Sequence, residues 1–188
     1  VNIILMSKKN FLKYLGQIKD LIEEINFDKV ENLKKLILKT RKKSGKVHIF
    51  GNGGSQSTAN HFAIDMTKNA KVLTVSYSDD NLITCFSNDY GYENWVRKTI
   101  ELYALKRDLV IFLSVSGNSK NILNAAKSCD KRGIKYFSLT GHKKNNSLNN
   151  RSKNYIWVDS MSYNSVEIIH HLILLNIVDS IIGKNIYS

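Results

Sequence analysis

Apolar side chains near the start of the chain recur at helical spacing. Within residues 8–25 they follow one another in alternating steps of four and three, which places them on one narrow helix face. The positions are Phe11, Leu15, Ile18, Ile22 and Ile25. We expect a helix there whose apolar seam packs either on the domain or on another subunit.

A second helix is predicted over residues 28–43. Asp28 and Glu31 resemble a capping box, in which two side chains satisfy the free N–H groups of a helix start. Val30, Leu33 and the pair 36–37 then form an apolar stripe.

After residue 45 the pattern changes to short apolar runs separated by helical stretches. The runs predict strands at 46–50, 71–76, 109–114, 135–140 and 154–158. The helical stretches are 55–67, 89–105, 118–131 and 163–182, and 142–153 has the composition of a loop. Alternating strands and helices predict an α/β fold with a doubly wound, parallel five-stranded sheet flanked by helices. We expect one domain over residues 1–188, with an N-terminal helical pair (1–43) and an α/β core (44–188).

Composition narrows the classes of partner. The net charge is +12, but the lysines are scattered and form neither a basic arm nor an aromatic-and-basic RNA motif, so we expect no nucleic-acid partner. Cys85 and Cys129 have no metal-ligand spacing, which predicts reduced thiols, buried or half-buried. No apolar run reaches bilayer length, and residues 1–6 are too short for a signal segment. These features predict a cytoplasmic protein without a membrane partner.

Two turns that follow strands are unusual. Residues 50–55 read FGNGGS and residues 114–119 read SVSGNS. Ligands of open α/β sheets lie at the carboxyl ends of the strands, and hydroxyls beside free helix N–H groups suit a phosphate. Neither turn meets the G-x-G-x-x-G dinucleotide pattern or the P-loop pattern. Together they predict a small phosphorylated ligand.

These segments resemble the sugar isomerase (SIS) family, and within it the sedoheptulose-7-phosphate isomerase branch. The resemblance rests on GNGGSQSTANHFAIDM (51–66), SNDYGYEN (87–94), SVSGNS (114–119), SLTG (138–141) and VEIIH (166–170). It implies interconversion of sedoheptulose 7-phosphate and a manno-heptose 7-phosphate, an early step toward the surface heptose of bacterial lipopolysaccharide or capsule. It also implies a homotetramer with shared sites, for which the N-terminal helices provide packing, and one zinc per subunit.

The resemblance assigns roles to individual residues. For the substrate these are Asn52, Gly53, Gly54, Ser55, Asn88, Asp89, Ser114, Val115, Ser116, Ser119 and Glu167. The metal ligands expected are His61, Asp65 and Glu167, and the catalytic residues are Asp65, Glu167 and His171. His61 and Asp65 stand four apart on the predicted helix and therefore share a face.

The chain departs from the family pattern at several of these positions. Asp65 stands where the family has glutamate, and the shorter side chain changes the reach of its carboxylate. The family's second C-terminal histidine falls on Leu175, so His171, which shares a face with Glu167, is the substitute that helix geometry offers. A rival alignment makes His170 catalytic but requires gaps. Val115 lacks the hydroxyl that is frequent there.

Three functions remain open on this basis. The first is the heptose phosphate isomerase with an altered acid/base set. The second is a phosphosugar-binding SIS protein with lost or altered chemistry, and the third is an isomerase of another phosphosugar.

Overall fold

The computed structural model describes residues 7–184. The chain begins with two helices, α1 (Lys8–Glu23) and α2 (Phe27–Lys42), capped by Ser7 and Asn26. The Asn26 side chain accepts the N–H of Lys29 at 3.3 Å, so α2 begins one residue before the predicted capping box and Asp28 lies in its first turn. The segment 1–6, which we excluded as a signal segment, lies outside the described residues.

The sheet has five parallel strands in the order β2-β1-β3-β4-β5. They are β1 (Val47–Phe50), β2 (Thr74–Ser76), β3 (Leu109–Ser114), β4 (Lys135–Thr140) and β5 (Tyr155–Trp157). The helices around it are α3 (Gly54–Lys68), α4 (Asp80–Tyr90), α5 (Trp95–Tyr103), α6 (Lys120–Arg132), α7 (Ser147–Arg151) and α8 (Tyr163–Ile182). This confirms the predicted fold class.

Alternating strand residues separate two apolar cores, one on each face of the sheet. On one face Val47 and Ile49 of β1 pack with α1, α2, α3 and α8, and on the other Phe50 packs with α5 and α6. Because β1 leads to β2 on one side and lies beside β3 on the other, the winding reverses between β1 and β3. Ligands of such sheets bind in the crevice at that point.

The region around Gly91 differs from the prediction of one helix over 89–105. Asp79 caps a separate helix, α4, by accepting the N–H of Leu82 at 2.9 Å. Gly91, with φ 82°, ends α4, and a 3-10 turn (Tyr92–Asn94) leads into α5. The continuous helix was wrong because a glycine in a positive-φ conformation breaks the helical path.

Three shorter stretches also differ from the predictions. Strand β2 starts only at Thr74, because Lys71 has a φ of 54° and Val72 still donates to the carbonyl of Met66. The segment expected as loop contains α7, which Asn146 caps by accepting the N–H of Asn149 at 2.9 Å. Cys129 is buried, as predicted, but Cys85 is exposed on α4 and not half-buried.

Helix α8 is, among the described residues, the helix long and apolar enough to cross a membrane by length and composition. The expectation that no segment reaches that length was therefore wrong. Its buried residues, among them Ile169, Leu174 and Val178, pack in the core beneath the sheet. We interpret α8 as the core helix of the domain.

Candidate active site

The two unusual turns lie side by side at the carboxyl end of the sheet. The first follows β1 and leads into α3, and the second follows β3 and leads into α6. Since β1 and β3 are paired neighbours, both turns face the crevice where the winding reverses. Gly53 has φ 55° and precedes the first residue of α3, which explains why glycine stands there.

Glu167 of α8 reaches the first of these turns. Its carboxylate accepts a hydrogen bond from the Ser55 hydroxyl at 3.0 Å. It also lies directly against Gly54, where a Cβ would collide with it. A negative group at this helix start is favoured by the free N–H groups and the dipole. The hydroxyl of Ser55, expected beside the phosphate, is thus engaged by a carboxylate.

The second turn carries the hydroxyls expected to hold phosphate. The Ser114 and Ser119 oxygens lie 3.3 Å apart, and Ser119 is the N-cap of α6 without using its side chain as a cap. The Ser116 oxygen accepts the N–H of Asn118 at 3.2 Å. The hydroxyls of Ser114 and Ser119 at the start of the thirteen-residue helix α6 are therefore better placed to bind an anion than the first turn is.

The loop after β4 packs against the second turn through Asn146. Gly117, with φ 63°, lies against the Asn146 side chain, and a Cβ there would collide with it. A cleft of about 310 Å³ is lined by Ser116, Asn118 and Lys143 among others. Val115 is buried, so its side chain is not accessible to a ligand that enters from solvent. Its backbone carbonyl accepts the N–H of Gly141 at 2.8 Å.

Asn52 connects the two turns. Its side chain forms two hydrogen bonds with Asn121 at the start of α6, at 3.1 and 2.8 Å, and accepts the Tyr92 hydroxyl at 3.2 Å. Neither partner was predicted from the sequence. Asn121 stands two residues after the SVSGNS motif, which ends at Ser119. Tyr92 lies within the motif at 87–94 that carried the resemblance.

Asn88 and Asp89 lie on the exposed helix α4. Asn88 donates to Asp89 at 3.0 Å, and Asp89 also lies 3.7 Å from the Cys85 sulfur. Among the described residues their side chains bond only to α4 itself. The structure therefore does not join them to the two turns.

A second polar group lies further along α3 and α8. His61 contacts Asp65 at 3.2 Å through Nε2 and His171 at 3.0 Å through Nδ1. Burial, followed by the neighbouring His61, lowers the pKa of His171. Asp65 stands eleven residues beyond Gly54, which is about 16 Å along the helix axis. Asp65 is therefore far along α3 from the first turn, whereas His171 stands one helical turn after Glu167 on the same face of α8.

The three expected zinc ligands do not meet as a set. Glu167 bonds to Ser55, whereas His61 and Asp65 bond to each other and to neighbours on α3 and α8. Within residues 7–184 no three histidine, cysteine, aspartate or glutamate side chains form a metal-binding group. The donor arrangement of one chain does not fit zinc, and the zinc stays a prediction.

His170 is not available to solvent. It is 1% exposed, and its Nε2 lies 3.2 Å from the Thr140 carbonyl at the end of β4. Burial lowers its pKa to about 4, against the opposing effect of that hydrogen bond. His170 joins α8 to the sheet, which argues against the rival alignment that makes it catalytic.

Comparisons with known proteins agree with this architecture. Residues 10–141 match the SIS domain family. The phosphoheptose isomerase of Helicobacter pylori (strain Shi470) is 36% identical over 141 residues, which are 71% of this chain and 72% of that protein. The chain belongs to the phosphoheptose isomerase family. The phosphoheptose isomerase of Histophilus somni (strain 2336) is 33% identical over 162 residues, covering 81% of this chain and 83% of that protein.

Solved structures of this family share the fold. Phosphoheptose isomerase from Neisseria gonorrhoeae superposes with a TM-score of 0.85 at 24% identity, over 93% of this chain and 98% of that one. The Francisella tularensis phosphoheptose isomerase gives 0.83 at 23% identity, over 96% and 100% of the two chains.

Proposed function

We propose that this protein is an aldose–ketose isomerase that interconverts sedoheptulose 7-phosphate and D-glycero-manno-heptose 7-phosphate. Its relatives at 33–36% identity carry the name phosphoheptose isomerase. The observation that carries the proposal is the Glu167 carboxylate, held by Ser55 at the carboxyl end of the sheet beside a serine-rich turn suited to phosphate.

Binding is assigned to the second turn. The substrate phosphate accepts hydrogen bonds from the Ser114 and Ser119 hydroxyls and from the free N–H groups at the start of α6. The first helix start, already next to a carboxylate, is the less favourable place for a second anion. The reacting end of the sugar then lies toward the first turn.

Glu167 is assigned as the base. It takes the proton from C1 of the ketose, and the electron pair of that C–H bond forms the C1–C2 double bond of an enediolate. The same proton returns to C2, and a proton moves from the C1 hydroxyl to the C2 oxygen, which leaves an aldehyde at C1. No atom is gained or lost, and no external oxidant is required. The Ser55 hydroxyl orients the carboxylate for both transfers.

We propose that the chain works as a homo-oligomer, in the tetrameric form that the resemblance implies. Phe11 and Leu15 of α1 are 50% and 45% exposed in the single chain, although they continue the seam of the buried Ile18, and the neighbouring Leu12 is 55% exposed. Ile168 and Leu172 of α8 are also exposed. A second copy covering these faces would bring the group of His61, Asp65 and His171 to a subunit boundary. His171 then serves as an acid/base group there.

The assignment of the base is tested by Glu167→Gln. We expect kcat to fall by about 10²–10⁴-fold, the usual contribution of a general base, with little change in thermal stability. Glu23→Gln, an exposed carboxylate change on α1, is the matched control and keeps full activity. Turnover is followed by NMR of pure protein with sedoheptulose 7-phosphate, with and without zinc. Full activity of Glu167→Gln contradicts the assignment of the base.

A second candidate, a phosphosugar-binding protein without turnover, is favoured by Leu175 at the position of the family's second histidine. The same samples decide between the two functions. Thermal stabilisation by the sugar phosphate without any new sugar phosphate supports the binding protein and refutes the isomerase. The wider roles, in the cytoplasm and toward surface heptose, follow only if turnover is seen.

A further inference from the structure

The contacts of Asn52 determine which way its amide group points. Asn52 and Asn121 form a reciprocal pair in which each amide donates to the oxygen of the other, at 3.1 and 2.8 Å. Such a pair looks the same if both amides are flipped, so a third contact is needed to fix the direction.

Ile122 supplies that contact. Its backbone N–H donates to the Asn121 oxygen at 3.0 Å, in a position where Ile122 is fully buried. An N–H group can only donate, so the Asn121 atom facing it must be the oxygen. The direction of the Asn52 amide follows from that of Asn121, which is itself only 2% exposed.

The bonding capacity of the Asn52 side chain is then almost used up. Its oxygen accepts from the Asn121 amide and from the Tyr92 hydroxyl, at 2.8 and 3.2 Å, which occupies both lone pairs. One of its two N–H groups donates to Asn121. Within residues 7–184 the second N–H has no partner, so the side chain can give a ligand one hydrogen bond and accept none.

We propose that Asn52 donates this N–H to the substrate oxygen on which negative charge develops, and that Asn121 and Tyr92 are positioning residues for it. A donor fixed before the reaction stabilises an enediolate oxygen more than a neutral hydroxyl or carbonyl oxygen. Asn52 also stands at the turn that Glu167 contacts, one residue before Gly53. The inference rests on the proposed isomerase function.

Three near-isosteric changes test this inference. Asn52→Asp keeps the acceptor contacts but removes both N–H groups, the free one and the one that donates to Asn121 at 3.1 Å, and we expect kcat to fall at least about 100-fold. Asn121→Asp still accepts from Ile122 but faces the Asn52 oxygen with a second acceptor, and we expect a fall of about 10-fold or more. Tyr92→Phe removes one bond from a residue that is 55% exposed, so the fold is preserved and kcat falls about threefold to tenfold.

The readout separates positioning from a structural effect. We expect kcat to fall while KM and the melting temperature of Tyr92→Phe stay near those of the wild type, because the interaction strengthens in the transition state. Tyr103→Phe, which changes a phenol that is 51% exposed on α5, is the matched control. Wild-type turnover with unchanged kcat in Asn52→Asp or Tyr92→Phe overturns this inference alone. Wild-type protein without turnover overturns the proposed function together with it.

Discussion

Replacing Gly54 by alanine separates the requirements of the site from those of the fold. The alanine Cβ would lie 3.0 Å from one carboxylate oxygen of Glu167 and 2.9 Å from its carboxylate carbon, with the second oxygen closer still. Ordinary contacts of this kind are 3.4–4 Å. The carboxylate must therefore move away from the first turn of α3, and its hydrogen bond to Ser55 is stretched or lost.

The magnitude follows from the size of that movement. Restoring ordinary contact requires a shift of roughly 1 Å, and a misplacement of about 1 Å at a reacting group costs about 10²-fold in rate. This corresponds to about 2.7 kcal/mol in activation free energy. For folding, alanine in a helix contributes up to about 1 kcal/mol relative to glycine, and the weakened Ser55 bond costs about 1 kcal/mol. We expect kcat to fall about 100-fold while the free energy of unfolding changes by less than about 1 kcal/mol.

The assay combines steady-state turnover of sedoheptulose 7-phosphate with urea unfolding of the same preparations. Gly16→Ala is the matched control, because Gly16 lies within α1 and a Cβ there meets nothing within 4 Å. It should add up to about 1 kcal/mol of stability and leave kcat unchanged. Gly54→Ala with wild-type kcat would refute the conclusion that contact with Gly54 sets the position of Glu167. Loss of kcat that parallels a large loss of stability would refute the separation of site from fold.

Three further predictions concern the buried network, pH and the phosphate turn. Asp108→Ala removes the carboxylate that accepts the backbone N–H groups of Lys46 and Leu105 and contacts His48, at 2.9–3.0 Å. In urea titrations it should lower the free energy of unfolding by about 4 kcal/mol. A loss below about 1 kcal/mol would contradict this prediction. The pKa of His170, lowered by burial to about 4, means that the unfolded chain binds more protons between pH 4 and 6.5. The contribution of the neutral His170 to the free energy of unfolding, about 3 kcal/mol, is therefore complete above pH 6.5 and is lost as the pH falls to 4. The free energy of unfolding of His170→Asn should depend less steeply on pH in this range. A pH dependence equal to that of the wild type would exclude His170 as its source. Ser119→Ala should raise KM for the phosphorylated substrate about 10- to 100-fold through loss of one charge-assisted hydrogen bond, and an unchanged KM would place the phosphate elsewhere.

The sheet and most helices were predictable because their signals are local. Each buried strand is a short apolar run, and the seam of α1 and the stripe of α2 have the helical period. The continuous helix over 89–105 failed because the conformation of one glycine, Gly91, decides whether the helix continues. The prediction of a loop at α7 failed because the composition of this five-residue helix is that of a loop, and the Asn146 cap together with packing against α6 and β4 supports it.

The candidate site divides in the same way. The sequence alone determined the two turns and their strand-to-helix context, and it predicted a phosphate ligand for their hydroxyls, because glycine and serine act through the local backbone. Only the tertiary structure decided that Glu167, which stands 112 residues after Ser55, lies on the first turn, and that His171 meets His61 while His170 is buried. Neighbouring positions of a helix point about 100° apart, so which of two adjacent histidines faces the core depends on the surface against which α8 packs. The orientation of Asn52 has the same origin, since Asn121 and Tyr92 come from two other elements and the sequence carries no signal of their meeting.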